Sequence, residues 1–262
     1  MADKKTENQP ATPEGEGQMP LFYKDPRPLD SQAHKDLYLR KDLTFAFTKE
    51  INAVPINLVE FPQIAQFYPI AFGPDEQATP VAILGLRDKE NLYLDANGHW
   101  LRNTYVPAYI RRYPFIFSEV PDGDRLALCI DMDERAVTTD SKNGVALFND
   151  KGEPTEVTNN AMEFCKSYHA AAEQTLEFGK ALHESGILID RQAEIPVTEE
   201  QKIRFGGFRV IDEEKLNNLD DKTFLQWRKN QWLPYVYAHL LSSAHWQSLG
   251  QLLRMRLNQE AA

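Results

Sequence analysis

The sequence predicts an α+β fold. A strand-rich first part, residues 20–150, with two helix–strand–strand units, carries a mainly helical second part, residues 151–262, packed on it as one domain. Three observations predict it. "FPQIAQFYPIAF" (61–72) is echoed by "VPAYIRRYPFIF" (106–117), with Pro62/Pro107, Tyr68/Tyr113, Pro69/Pro114 and Phe72/Phe117 in matching places. Short β-branched and aromatic runs flank Asn97-Gly98 and Asp122-Gly123, both hairpin signals. After residue 150 the apolar residues recur at helical spacing instead.

In chain order, residues 1–19 are polar, contain Pro and Gly and lack aromatics, so a disordered tail is expected. "PLFYKDPRPLDSQAHKDLYL" is Pro-punctuated and reads as an extended segment wrapping the domain. "LTFAFT" (43–48) and "VPINLV" (54–59) read as strands. Pro62 suits a first helical turn, and Ile64, Phe67 and Tyr68 follow on one side. Pro69 cannot continue the ladder and pushes Tyr68 out of the helical region, so a helix of about two turns should stop and a strand begin. The second copy repeats this logic from Pro107 to Phe117. Either a structural unit is built twice or the Tyr-Pro recurrence is coincidental; the repeated order of signals favours the unit.

"NNAMEFCKSYHAAAEQTLEFGKALHESGIL" is the clearest helix. Asn160 and Glu163 stand in capping-box positions, and Gly186 supplies a stop. Cys165, Tyr168, Ala172, Leu176, Gly179 and Leu182 form its apolar stripe. "FGGFRVID" reads as a strand with a bulge or close approach at Gly206-Gly207. One or two short helices follow, then a C-terminal helix with Pro234 in its first turn and a break at Ser242-Ser243. These C-terminal faces are expected to pack on the long helix.

The net charge of −10 repels phosphate backbones and disfavours nucleic acid as a partner. No apolar run approaches the roughly 20 residues of a spanning helix, and the N-terminus lacks an apolar leader. A cytoplasmic setting is expected, with surface association only by a non-classical route. Cys129 and Cys165 read as buried thiols in a reducing compartment.

Chemistry-bearing motifs are sparse. There is no phosphate loop, nucleophile elbow or His-Glu-x-x-His, so no catalytic residue, metal ligand set or cofactor is expected. Four residues are candidate ligand contacts. Asp131 and Asp133 sit two apart on a strand and either share a divalent cation or mark a solvated strand end. Arg111 and Arg112 lie beside aromatics and either hold an anionic ligand or are exposed arginines on a short helix. Trp232, Tyr235 and Tyr237 are core or a partner surface. Tyr235 and Tyr237 point about 200° apart on a helix, so one of them should face away from the core. A protein partner or a second copy of the chain is expected there.

Taken in series, "VPINLVEFPQIAQFYPIAF", "VPAYIRRYPFIF", "LCIDMDE", "LFNDKGEPT", "FGGFRVIDEEKLNNL" and "YVYAHLLSSAHWQSLGQLL" resemble the bacterial SapC family, from about residue 20 to residue 257. The permease of the same name is a different protein whose spanning helices this chain lacks. The resemblance implies an accessory or binding role at bacterial surface layers or TonB-dependent outer-membrane uptake systems. It also implies an alternative: an enzyme or enzyme subunit working with a flavin-dependent halogenase-like or cupin-like oxygenase protein. It carries over no catalytic residue set.

Because the tail has nothing to bury, deletion of residues 1–18 is expected to leave the melting temperature nearly unchanged. A clear fall in a thermal melt would show that the tail docks.

Overall fold

The computed structural model of the chain describes residues 19–120, 123–196 and 202–260. The N-terminal segment supplies two short strands, β1 (Pro26–Pro28) and β2 (Tyr38–Arg40). After β3 (Ala53–Pro55) come the two echoed stretches. The first forms α1 (Phe61–Ile64), β4 (Ile70–Phe72) and β5 (Pro80–Ile83). The second forms α2 (Ala108–Arg111), β6 (Phe115–Val120) and β7 (Gly123–Asp131). Both are helix–strand–strand units, although each helix is a single α turn rather than two.

The echo extends to backbone register. Ile70 pairs with Ala82 and Phe115 with Ile130. In each unit the Pro carbonyl that follows the Tyr accepts the N–H at the end of the second strand: Pro69 from Ile83 at 3.0 Å, Pro114 from Asp131 at 2.9 Å. Asp131 is thus the counterpart of Ile83. Tyr68 and Tyr113 are both buried. Phe72 and Phe117 hold matching ladder places, yet Phe72 is fully buried and Phe117 only half-buried. The expectation of equal core positions fails there, because Phe117 stands at the edge of a cavity. Of the Asp122-Gly123 turn, Asp122 lies outside the described residues, as do residues 1–18 of the tail.

The chain continues through β8 (Val137–Thr138), β9 (Gly144–Ala146) and the long helix α3 (Glu156–Glu184). A hairpin follows, β10 (Leu188–Pro196) and β11 (Lys202–Ile211). Four helices complete it: α4 (Glu213–Asn217), α5 (Asp221–Lys229), α6 (Leu233–Ser242) and α7 (His245–Glu260). Sheets lie mostly in the N-terminal half and helices in the C-terminal half, an α+β fold. Three antiparallel sheets have the orders β1-β7-β6, β10-β11-β4-β5-β3 and β8-β2-β9. The first unit feeds one apolar cluster, with Phe61, Tyr68, Phe72, Phe178 and Leu249. The second feeds another, with Tyr113, Phe115, Cys129 and Cys165. Helix α3 contributes to both.

Several local expectations are corrected. "LTFAFT" is not a strand: Phe45–Thr48 is a 3-10 turn. Thr44 accepts from the Ala46 N–H, and Thr48 Oγ1 donates back to the Phe45 carbonyl at 2.8 Å. These local side-chain bonds compete with strand pairing. "VPINLV" is strand only at its start, since Leu58–Glu60 is also a 3-10 turn. Helix α3 begins earlier than expected, with Thr155 as N-cap, and Asn160 lies inside it. Its buried stripe takes Thr175 and Phe178 while Leu176 is 37 % exposed. Strand β10, which the sequence reading did not single out, is held by its pairing with β11. The bulge in that pair falls at Gly206-Gly207 opposite Gln192, as expected. The C-terminal helices pack chiefly on α1 and the large sheet. Trp246 stacks on Phe208 with ring centroids 5.1 Å apart, and Trp232 and Tyr235 make ring contacts with Phe178 of α3.

One glycine sets the distance between layers. A Cβ at Gly179 would lie 2.1 Å from the Gln77 carbonyl oxygen, so only Gly lets α3 press on the β4–β5 loop.

The unequal burial of the two echoed phenylalanines is measurable. Phe72→Ala is expected to cost about 3–5 kcal/mol in chemical denaturation. Phe117→Ala is expected to cost less than about half of that, in proportion to its smaller buried area. Equal costs would contradict the asymmetry of the two units.

Candidate functional site

Helix α2 is one turn long, and its start is held from outside. The Ala108 N–H donates to Glu60 Oε1 at 2.6 Å, and the Arg112 N–H closes the turn on the Ala108 carbonyl at 2.9 Å. Tyr109 and Arg112 are three apart, hence on one side. The Arg112 guanidinium carbon lies 3.9 Å from the Tyr109 ring centroid. Helix α3 brings Tyr168 to 4.6 Å from the same carbon. Arg112 therefore lies against two tyrosine rings, whose centroids are 6.3 Å apart with planes at 69°, in cation–π contact with both and with only 9 % of its surface exposed.

This cluster lines a cavity of about 320 Å³ at the seam between the two units, under α3. Asn57 comes from the turn that leads into the first unit, Gln77 and Thr79 from its β4–β5 loop, Ile116 and Phe117 from β6, and Cys165, His169, Ala172 and Leu176 from α3. No carboxylate lines it, in a chain whose net charge is −10. Burial pushes the Cys165 thiol up to about 11, against the opposing pull of the Arg112 charge. At neutral pH it is a protonated thiol and a poor nucleophile.

The four candidate ligand residues do not converge. Arg111 points away from the cavity. It donates to the Val106 carbonyl at 3.0 Å and the Tyr105 hydroxyl at 2.8 Å, and lies over the Phe164 ring. Asp131 is fully buried, not solvated. Its Oδ1 accepts the Lys24 and Asp25 N–H groups at 3.0 and 2.7 Å, and its Oδ2 accepts the Tyr113 hydroxyl at 2.9 Å. Asp133 is buried too. Arg135 grips it with two side-chain bonds at 2.8 and 2.9 Å, and Lys24 Nζ sits at 2.7 Å. Arg135 first, with Lys24, holds its carboxyl well below the usual range. Both acids fasten the N-terminal segment to β7. Among the described residues no three His, Cys, Asp or Glu side chains come together so as to hold a metal ion.

The aromatic candidates divide as their spacing requires. Trp232 packs edge-on against Phe178, and Tyr235 against Phe61 and Phe178, so both belong to the core. Tyr237 is 50 % exposed, and Leu241, one turn on, is 74 % exposed. Sequence reasoning did not assign Tyr109, Tyr168 or Cys165 to a site. The available signal was spacing: Tyr109 and Arg112 stand three apart, as do Cys165 and Tyr168.

His239, on the inner face of α6, is the clearest perturbed base. Its Nε2 accepts the Ile211 N–H at 3.1 Å, which places the ring proton on Nδ1. Burial lowers its pKa from 6.5 to about 3. Between those values the unfolded chain binds the extra proton, so the contribution of the neutral ring is fully present above about 6.5 and fades as pH falls. Stability in denaturant is expected to decline as the pH drops below about 6.5. His239→Gln, which keeps an acceptor for Ile211, should flatten that limb. An unchanged limb in the variant would assign the decline to other groups.

Among the described residues no helix is long and apolar enough to cross a membrane. No curated protein and no solved structure matches the chain significantly. The model of one protein family, SapC, matches residues 29–249, which takes in both units, the seam cavity and the C-terminal helices into α7. The chain belongs to the SapC family.

Proposed function

We propose that this chain is a non-enzymatic accessory or binding protein serving bacterial surface-layer or TonB-dependent outer-membrane uptake systems. The class of system follows from what the family resemblance implies. The binding character rests on one observation: Arg112 and its two tyrosines line a cavity, while Asp131 and Asp133 spend their oxygens on structural donors. Cys165 keeps its proton at neutral pH and is a poor nucleophile there, and the aromatic and apolar lining is suited to holding a ligand. The alternative, an enzyme or a subunit of a halogenase-like or oxygenase system, would gain support from a pocket in which Arg111, Arg112 or the acidic pair Asp131/Asp133 converges. Of these only Arg112 lines the cavity.

The outward edge of α6, Tyr237 and Leu241, supplies an apolar contact for a protein partner. The test is affinity capture by tagged chain in its native cells, with mass spectrometry of what co-purifies. Surface-layer or outer-membrane uptake components are expected. Tyr237→Ala should stay folded and lose capture, whereas Tyr235→Ala should lower the melting temperature. Full capture by a folded Tyr237→Ala would remove that edge from the proposal. Turnover by a co-purified oxygenase that needs this chain would favour the alternative.

A further inference from the structure

We infer that the seam cavity is a binding site for a small neutral molecule with an aromatic ring. This rests on reading the cavity as a site that holds a ligand. The two echoed units carry the inference, because each serves as a reference for the other. Phe72 and Phe117 hold matching ladder places, opposite Pro80 and Leu128. Over Phe72, α6 lays the His239 ring, with centroids 5.0 Å apart, and Phe72 is fully buried. Over Phe117 stands the cavity, and Phe117 is only half-buried. Among the described residues no ring packs against Phe117. The remaining stretches of the chain, residues 1–18, 121–122, 197–201 and 261–262, contain no aromatic residue to put there. The ring that completes the second unit must come from another molecule.

The walls suit a ring. Tyr109 and Tyr168 stand edge to face, with centroids 6.3 Å apart and planes at 69°. With Phe117 they offer the offset and edge-on contacts that aromatic rings prefer. Ile56, Ile116 and Leu176 add hydrocarbon. A volume of about 320 Å³ is at the small end of ligand pockets, which fits one or two rings. The charge of the ligand follows from what the wall leaves available. No Asp or Glu lines the cavity. The Arg112 guanidinium is engaged within the wall, its carbon 3.9, 4.6 and 5.8 Å from the rings of Tyr109, Tyr168 and Tyr23. The Asn57 amide donates to the Tyr168 carbonyl and the Thr175 hydroxyl to the Ala171 carbonyl, so both serve the fold. His169 stands 3.7 Å from Glu173. Gln77 and Thr79, the first exposed and the second half-buried, offer a neutral amide and a hydroxyl. An ionised group would give up its water there for neutral partners, which is costly. A hydroxyl or amide on the ring exchanges like for like.

The probes are benzyl alcohol, cyclohexylmethanol and benzoate, titrated into the full chain and followed by ligand-observed NMR. Benzyl alcohol is expected to bind, and benzoate to bind at least about tenfold more weakly. Phe117→Leu keeps an apolar side chain and removes the ring. It should lower the affinity of benzyl alcohol relative to cyclohexylmethanol by about two- to tenfold, the worth of an aromatic pair. Leu176→Trp, at a rim position 37 % exposed, supplies a ring to the cavity from the chain itself. It should abolish benzyl alcohol binding without lowering the melting temperature. No binding of benzyl alcohol to the unmodified chain, or binding that survives in folded Leu176→Trp, would overturn the site. An unchanged relative affinity in Phe117→Leu would overturn recognition of the ring, and benzoate bound as tightly as benzyl alcohol would overturn the neutral class. Should Leu176→Trp unfold, the Phe117→Leu comparison decides alone. Partner capture by the unmodified chain is read separately. Capture without ring binding sinks this inference and leaves the accessory role standing, and ring binding without capture does the reverse.

Discussion

The two units are joined through one buried carboxylate. Glu60 ends the 3-10 turn that leads into α1, and its Oε2 accepts the Asn57 N–H at 3.0 Å. Its Oε1 reaches across to the second unit, accepting the Ala108 N–H at 2.6 Å and the Tyr105 hydroxyl at 3.1 Å. Burial pushes this carboxyl above its usual range, so its ionised form depends on those three donors. The geometry leaves little freedom. Rotating α2 would break the Ala108 bond, and the same rotation would carry Tyr109 and Arg112 out of the seam. The cavity exists because the start of one unit's helix is tied to the end of the other unit's entry turn.

Elsewhere the chain uses buried charges as fasteners in the same way. Asp131 and Asp133 hold residues 24–25 against β7, so that β1 can pair along it. Arg209, on β11, donates to the Gly73 and Asp75 carbonyls and contacts His183 of α3 at 3.0 Å. It locks the long hairpin to the β4–β5 loop and to the main helix at one point. Each of these groups is costly to bury alone and stable only with its full set of partners. Arg112 differs in its setting. Aromatic rings contact its guanidinium where it borders the cavity.

The echoed units show how one local code serves two roles. The Tyr-Pro step ends each helix and starts each hairpin in the same register. The surroundings then diverge. The Tyr68 hydroxyl accepts from Trp100 Nε1 at 3.0 Å and donates to the Tyr105 carbonyl, inside the first core. The Tyr113 hydroxyl instead donates to Asp131, at the position where the first unit has Ile83. The substitution of an acid for an apolar residue at one ladder place is what lets the second unit capture the N-terminal segment.

Local sequence determined what short-range chemistry can decide. Pro62, Pro107, Pro69 and Pro114 set the helix starts and stops, Gly186 ended α3, and Ser242-Ser243 broke the C-terminal helix, because backbone restrictions act within a few residues. The spacing of Tyr235 and Tyr237 settled that they face opposite ways, though not which one faces out. Tertiary structure decided the rest. "LTFAFT" alternates like a strand, but Thr44 and Thr48 bond locally, and among the described residues no strand pairs with it. Strand β10 is carried by its partner despite its charges. Asp131 and Asp133 look solvated in sequence and are buried, in part because Lys24 and Asp25, about 100 residues away in the chain, close over them. The Arg112 site draws on α2, α3 and the first unit together. Its chemistry comes from contacts between distant segments, which no local pattern encodes.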